Sequence, residues 1–157
     1  MADTQREEGA AMVEFALAAI VFFCIVIVGF DFIRWSYQTA TAQFISAAVL
    51  REAVIGPPAR PAPYSTQAAW IEGEIIRRAQ GLGLPIQPGD VAICPFSTLT
   101  AGTCNSATDD GGNAGDMVAV VVSAPLSGFI WTAATAIGQG RYNVRALAVA
   151  RNEPWNG

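Results

Sequence analysis

The sequence predicts an α+β protein: a long N-terminal helix, apolar in its first half, leads into a small domain with a second helix and an antiparallel sheet of about three or four strands. Three observations predict it. From Ala10 to Phe30 a run of about 21 residues carries one charge, Glu14, long enough as a helix to cross a hydrocarbon core of ~30 Å. Apolar residues then recur at three- and four-residue steps, first beyond Phe32 and again in 68–82. After a polar, Gly-rich break, short Val-rich or alternating runs follow, as strands require.

The leader Met1–Gly9 is polar. The span after it is mostly Ala, Val, Ile and Phe, with no Pro. A helix satisfies its own backbone hydrogen bonds, and lipid offers no other partner. Glu14 is the odd residue, because a charge near the centre of a membrane helix costs roughly 2.5–3.5 kcal/mol on insertion scales. It lies near the start of the span, where it can reach the interface. Two readings stand side by side: an acid tolerated at a helix N-terminus by the helix dipole, or a membrane charge kept for a partner. Cys24, inside the span, reads as a packing residue.

The helix is expected to continue to Gly56-Pro57-Pro58, which stops it. Residues 10–33 form the span and 34–56 an amphipathic continuation, with the stripe Ile33, Tyr37, Ala40, Phe44, Ala47 and Ala48 packed on the domain. Gln38, Thr41 and Gln43 fall off that stripe or at its edge. Asp31 and Arg34 are spaced to pair at the membrane surface, where Trp35 and Tyr37 suit an aromatic belt. Charge does not set orientation: Met1–Gly9 holds one Arg and three acids, while Arg34 and Arg51 lie beyond the span.

Residues 57–157 form the globular part. Pro57–Pro63 is a stiff connector. Ser65 or Thr66 caps a helix whose buried face is Ala68, Ile71, Ile75, Ala79 and Leu82, and which Gly81 and Gly83 end. Glu74 and Arg78 form an i,i+4 pair on its solvated side. Asp90–Pro95 reads as a strand, with Val91 and Ile93 on one face, and Phe96–Asp116 as a polar loop. Met117–Ala124 is a central strand and Arg141–Arg151 a last one. Between them Pro125–Ile137, with Phe129, Ile130 and Trp131 adjacent, is a short helix against the sheet or a docking surface, with partial burial preferred.

Much chemistry is excluded. The chain has no His and no Lys, so Ser-His-Asp, Cys-His and Ser-Lys machinery and the usual zinc sets are missing. No phosphate-binding Gly-rich motif precedes a Lys. A net charge of −4 without a basic patch argues against nucleic acid. Asp109, Asp110, Asn113 and Asp116 bring oxygen donors of the kind calcium favours, but their spacing misses the EF-hand pattern, and Asp/Asn/Gly loops are usually turns. No enzyme and no cofactor is expected.

One stretch carries a resemblance. Gly9-Ala10-Ala11-Met12-Val13-Glu14-Phe15-Ala16-Leu17 resembles a type IV prepilin processing site, and more closely the start of the TadE-like proteins of the Tad (Flp) pilus system. Phe30-Asp31-Phe32-Ile33-Arg34-Trp35-Ser36-Tyr37 and the tail Arg151-Asn152-Glu153-Pro154-Trp155 are similar to that family too. The resemblance implies a pilin architecture, a prepilin peptidase cut between Gly9 and Ala10, and Glu14 as fifth residue of the mature chain. The new amine at Ala10 can then meet a neighbour's Glu14 in low dielectric and set subunit register. It implies a minor pilin or pseudopilin of a Tad pilus or related secretion apparatus, in the bacterial inner membrane with its domain extracytoplasmic. Its partners would be other pilins through the N-terminal helix, the peptidase, the inner-membrane assembly platform and membrane lipid. Ala11, Ala16, Ala18 and Ala19 allow close helix approach. In an oxidising compartment Cys94 and Cys104 pair; the alternative is two buried thiols. The alternative to the pilin is an uncleaved, membrane-tethered binding module.

Overall fold

The computed structural model describes residues 2–55, 64, 66–100, 104, 115–125, 128–136 and 143–153. Helix α1 runs over Ala2–Ile55, 54 residues, or ~80 Å at the α-helical rise. The polar leader is therefore helical from Ala2 and continues into the apolar span through Gly9. Helix α2 is Gln67–Gly81, strand β1 Val91–Pro95 and the short helix α3 Phe96–Thr100. Strand β2 is Met117–Pro125, helix α4 Phe129–Ala136 and strand β3 Asn143–Arg151. The three strands form one antiparallel sheet in the order β1-β2-β3, with Val122 opposite Val91 on one side and Ala146 on the other.

The core is a sandwich of the C-terminal half of α1, α2 and one face of this sheet. Alternation decides which strand residues enter it. Val144, Ala146 and Ala148 of β3 point in, whereas Arg145, Leu147 and Val149 point out. Val118, Val120, Val122 and Ala124 of β2 and Val91 and Ile93 of β1 meet them. Met117–Pro125 is buried on both faces along most of its length, the pattern of a central strand. From the helices come Ala42, Ile45, Val49, Leu50, Ala53 and Val54, and Ala68, Ile71, Ile75 and Ala79.

Helix α2 starts where expected. Thr66 has extended backbone, and its hydroxyl accepts a hydrogen bond from the Ala69 amide at 3.2 Å. Gly83 ends the turn after it at φ 72°, a conformation that glycine adopts without a Cβ clash. Leu82, expected in the core, falls beyond the helix and is exposed, and Leu84 and Ile86 fill that place instead. Phe96–Thr100, read as the start of a loop, forms α3.

The direction of each element along α1 can be read from its neighbours. Gln67 Nε2 donates to the Ala53 carbonyl at 3.0 Å, so α2 begins at the far end of α1. Ala124, Pro125 and Val144 surround Gln38 and Ala42, whereas Ala148, Val149 and Ala150 lie beside Ala47, Leu50, Arg51 and Val54. Strand β2 thus runs toward the apolar half of α1, and β3 runs away from it. The connection carrying α4 is on the side of the span.

Two expectations about α1 are corrected. The predicted stripe points away from the domain: Phe44 is 71% exposed, and Ile33, Tyr37, Ala40 and Ala47 are exposed as well. The buried side instead runs through Gln38, Ala42, Ile45, Ser46, Val49, Leu50, Ala53 and Val54. Both sets keep helical spacing. The sheet approaches the one without aromatic residues, and Ser46 joins it because its hydroxyl returns to the Ala42 carbonyl at 2.7 Å. The second correction concerns Asp31. It does not pair with Arg34: its carboxylate accepts from the amides of Phe129 and Ile130 at the start of α4.

Candidate functional site

The first half of α1 carries the candidate residues. The helix is long and apolar enough to cross a membrane, and no residue of its most apolar stretch is buried. Phe15, Leu17, Phe22, Phe23, Ile25 and Phe30 are all exposed. An apolar face of this size is not stable in water, and in a folded protein it marks contact with lipid or with other chains.

Gly9 lies in the helix with nothing within 4 Å of the position a Cβ would take. It is not a packing glycine. Among ordinary helix positions it is a weak one, since glycine costs about 1 kcal/mol against alanine in a helix interior. Ala10 and Glu14 are four residues apart on the same helix, so they share one face. Glu14 is exposed. The ion pairs among the described residues lie elsewhere, at Glu52, Glu74, Arg77 and Arg78. Gly9, Ala10 and Glu14 thus lie on one short stretch of helix, on which Gly9 and Glu14 are exposed. Cys24 is a free thiol, exposed on the same bare span rather than packed within the chain.

The domain beyond the span is braced at both ends. Cys94 and Cys104 form the disulfide, with their Cα atoms 5.8 Å apart. The Gly115 amide donates to the Asn152 carbonyl at 2.9 Å and the Asn152 amide to the Asp116 carbonyl at 2.9 Å, tying the tail to the start of β2. Arg78 links two helices: its Nε donates to Glu74 at 2.7 Å and its NH2 group to Glu52 of α1 at 2.6 Å. Glu74 also accepts from Arg77 Nε at 2.9 Å. The hydrogen bond from Arg77 leads and that from Arg78 adds to it; together they outweigh burial and hold the Glu74 carboxyl down at about 2. The i,i+4 pair expected from the sequence is therefore present, and it forms a four-residue network reaching α1.

Of the calcium candidates, Asp109, Asp110 and Asn113 lie outside the described residues, and Asp116 is exposed beside Met117. No group of three or more His, Cys, Asp or Glu residues able to hold a metal occurs among the described residues. The outer sheet face carries an open groove of about 450 Å³ lined by Asp90, Ala92, Cys104, Val121, Ser123, Asn143 and Arg145. Its one acid already has a structural task, since Asp90 accepts from the Gln87 amide in the preceding turn at 2.9 Å.

Sequence reasoning missed the tie between Asp31 and α4. The only signal was an acid isolated among apolar residues, and nothing in the chain indicated that its partner is a pair of amides 98 and 99 residues away. It also missed Gln38, now 4% exposed against Ala124 and Val144.

The TadE-like protein family model matches residues 9–51, beginning at Gly9 and ending near the close of α1. Neither the curated proteins nor the solved structures yield a match.

Proposed function

We propose that this chain, which matches the TadE-like family over residues 9–51, is a minor pilin or pseudopilin of a Tad pilus or a related secretion apparatus. Its role is structural: filament initiation or assembly. The observation that carries the reading is the coincidence of that match with a helix in which no residue from Ala11 to Phe30 is buried. A prepilin peptidase cuts between Gly9 and Ala10. The freed amine of one subunit then meets Glu14 of the next, offsetting the cost of an acid in low dielectric.

The exposed stripe Ile33, Tyr37, Phe44 continues the bare surface onto the domain-bearing half of α1, so neighbouring subunits can pack along most of its length. The chain is held in the inner membrane before assembly, with its domain extracytoplasmic. The Cys94–Cys104 disulfide supports that side, because such bonds persist in oxidising compartments. The intact mass of protein purified from native membranes tests the reading. A chain starting at Ala10 is expected; a chain keeping Met1–Gly9 contradicts it. The second outcome would favour an uncleaved tethered binding module, for which, among the described residues, the groove beside Asp90 and Arg145 is a supporting feature.

A further inference from the structure

We infer that α4 lies in the lipid–water interface and gives the domain a second membrane contact beside the span. The inference rests on the reading of residues 10–33 as that span. Helix α4 has the sequence Phe-Ile-Trp-Thr-Ala-Ala-Thr-Ala, without a charge. Phe129 is 71% exposed, Ile130 is half-buried, and Thr132, Ala133 and Ala136 are exposed. The partial burial expected from sequence takes the form of a half-buried Ile130 and an open Phe129.

Its height along α1 is fixed. The Phe129 amide donates to Asp31 Oδ1 at 3.0 Å, and the Ile130 amide donates to Oδ2. Asp31 comes 21 residues after Ala10, about 32 Å along a helix, against a hydrocarbon core of ~30 Å. The clamp therefore sits where the span leaves the hydrocarbon. Phe32 packs against Trp35 there at a tilt, with ring centroids 5.4 Å apart, and Arg34 is exposed beside them, the residue types that populate a headgroup zone. Strand β2 runs toward the span and delivers α4 to that level.

Lipid is the occupant the geometry favours. Asp31 holds exposed Phe129 at the level along α1 where Phe30, Phe32 and Ile33 are exposed as well. Aromatic residues favour the level where a span leaves the hydrocarbon, and α4 presents Phe129 there. The first amides of such a helix have little water to bond, and Asp31 satisfies two of them while the helix dipole favours its charge. Two contacts, span and α4, together restrict the rotation of the domain about α1.

Spin-labelled phospholipid quenching tests this in full-length protein reconstituted into phosphatidylethanolamine–phosphatidylglycerol vesicles, with the spin label near the headgroup or deep in the chain. An environment-sensitive fluorophore is attached to native Cys24, or to Phe129→Cys or Ile55→Cys in a Cys24→Ser background. Ile55 is exposed and ~36 Å past Asp31 along the same helix. Persistence of the Cys94–Cys104 disulfide certifies the fold of each variant. The label at Cys24 is expected to be quenched by deep lipids and that at 129 by shallow ones, each about twofold or more, with 55 unaffected. Adding Asp31→Ala lowers the quenching at 129. If Cys24 is quenched but 129 behaves like 55, the inference falls and the anchor stands. Cross-linking between copies through 129 without quenching assigns the face to a protein partner and also overturns it. If neither 24 nor 129 is quenched, the anchor reading and this inference fall together.

Discussion

The two halves of α1 obey different rules. Between Ala10 and Phe30 the helix carries one charge, Glu14, and none of its most apolar stretch is buried, so composition largely determines what it does. Beyond Asp31 the same helix has a dry side and a wet side. Ile45 is 2% exposed while its neighbour Phe44 is 71% exposed. The larger residue, equally apolar, is the one left outside. The lesson is that hydrophobicity marks a span reliably but ranks the faces of a packed helix poorly, because the sheet selects for shape.

This contrast can be broken most sharply at Phe44 and Ile45. Ile45→Ala should cost the domain about 2–5 kcal/mol, the range for a truncated core side chain. Phe44→Ala should change stability by no more than about 0.5 kcal/mol, as at an ordinary surface position. Denaturant unfolding of the detergent-solubilised chain, followed by near-ultraviolet circular dichroism, measures both. Equal losses would mean that the assigned buried side is wrong.

Next in size is the disulfide. Replacing Cys94 and Cys104 together by Ser opens a loop with a sequence separation of 10. It should remove about 2–3 kcal/mol by the chain-entropy estimate. The loss should be confined to the domain, leaving membrane insertion of the first half of α1 unchanged in a carbonate-extraction assay.

The network at Glu74 gives a smaller, pH-dependent effect. Its carboxyl titrates at about 2 in the folded protein, against an ordinary value of 4.5. A depressed folded value means the contribution is complete above the ordinary value and disappears as pH falls from there to about 2. Glu74→Gln should therefore cost on the order of 1–2 kcal/mol at neutral pH, discounted for the exposed Arg77, and nothing near pH 2. Parallel acid-stability curves for the two proteins would contradict the network.

Asp31→Ala is the smallest step, about 1 kcal/mol for a lost helix cap. Increased amide hydrogen exchange at Phe129 and Ile130, with the Ile45 region unchanged, checks it.

These comparisons also show what was legible beforehand. The span, the Thr66 cap, the Ala68–Ile71–Ile75–Ala79 face and the alternation of Asn143–Arg151 are local patterns, set by neighbours within a turn or a strand. The disulfide was open in the sequence, because two cysteines state proximity but not oxidation. What stayed hidden depends on distant contacts: Asp31 with the start of α4, Arg78 with Glu52, and Gln38 beneath Ala124 and Val144. Of the candidate site, the sequence placed Ala10 and Glu14 on one helix and Gly9 at the end of the leader before it; the structure carries the helix through Gly9 and leaves Gly9 and Glu14 exposed.

The central claim is that the bare half of α1 belongs to an assembly, with Glu14 as its register. The measurement that tests it most directly is the partition of Glu14→Ala protein between the membrane and sheared filaments of producing cells. The account predicts a variant that inserts, folds and forms Cys94–Cys104 normally yet is lost from the filament fraction. A variant recovered there at wild-type level would contradict it.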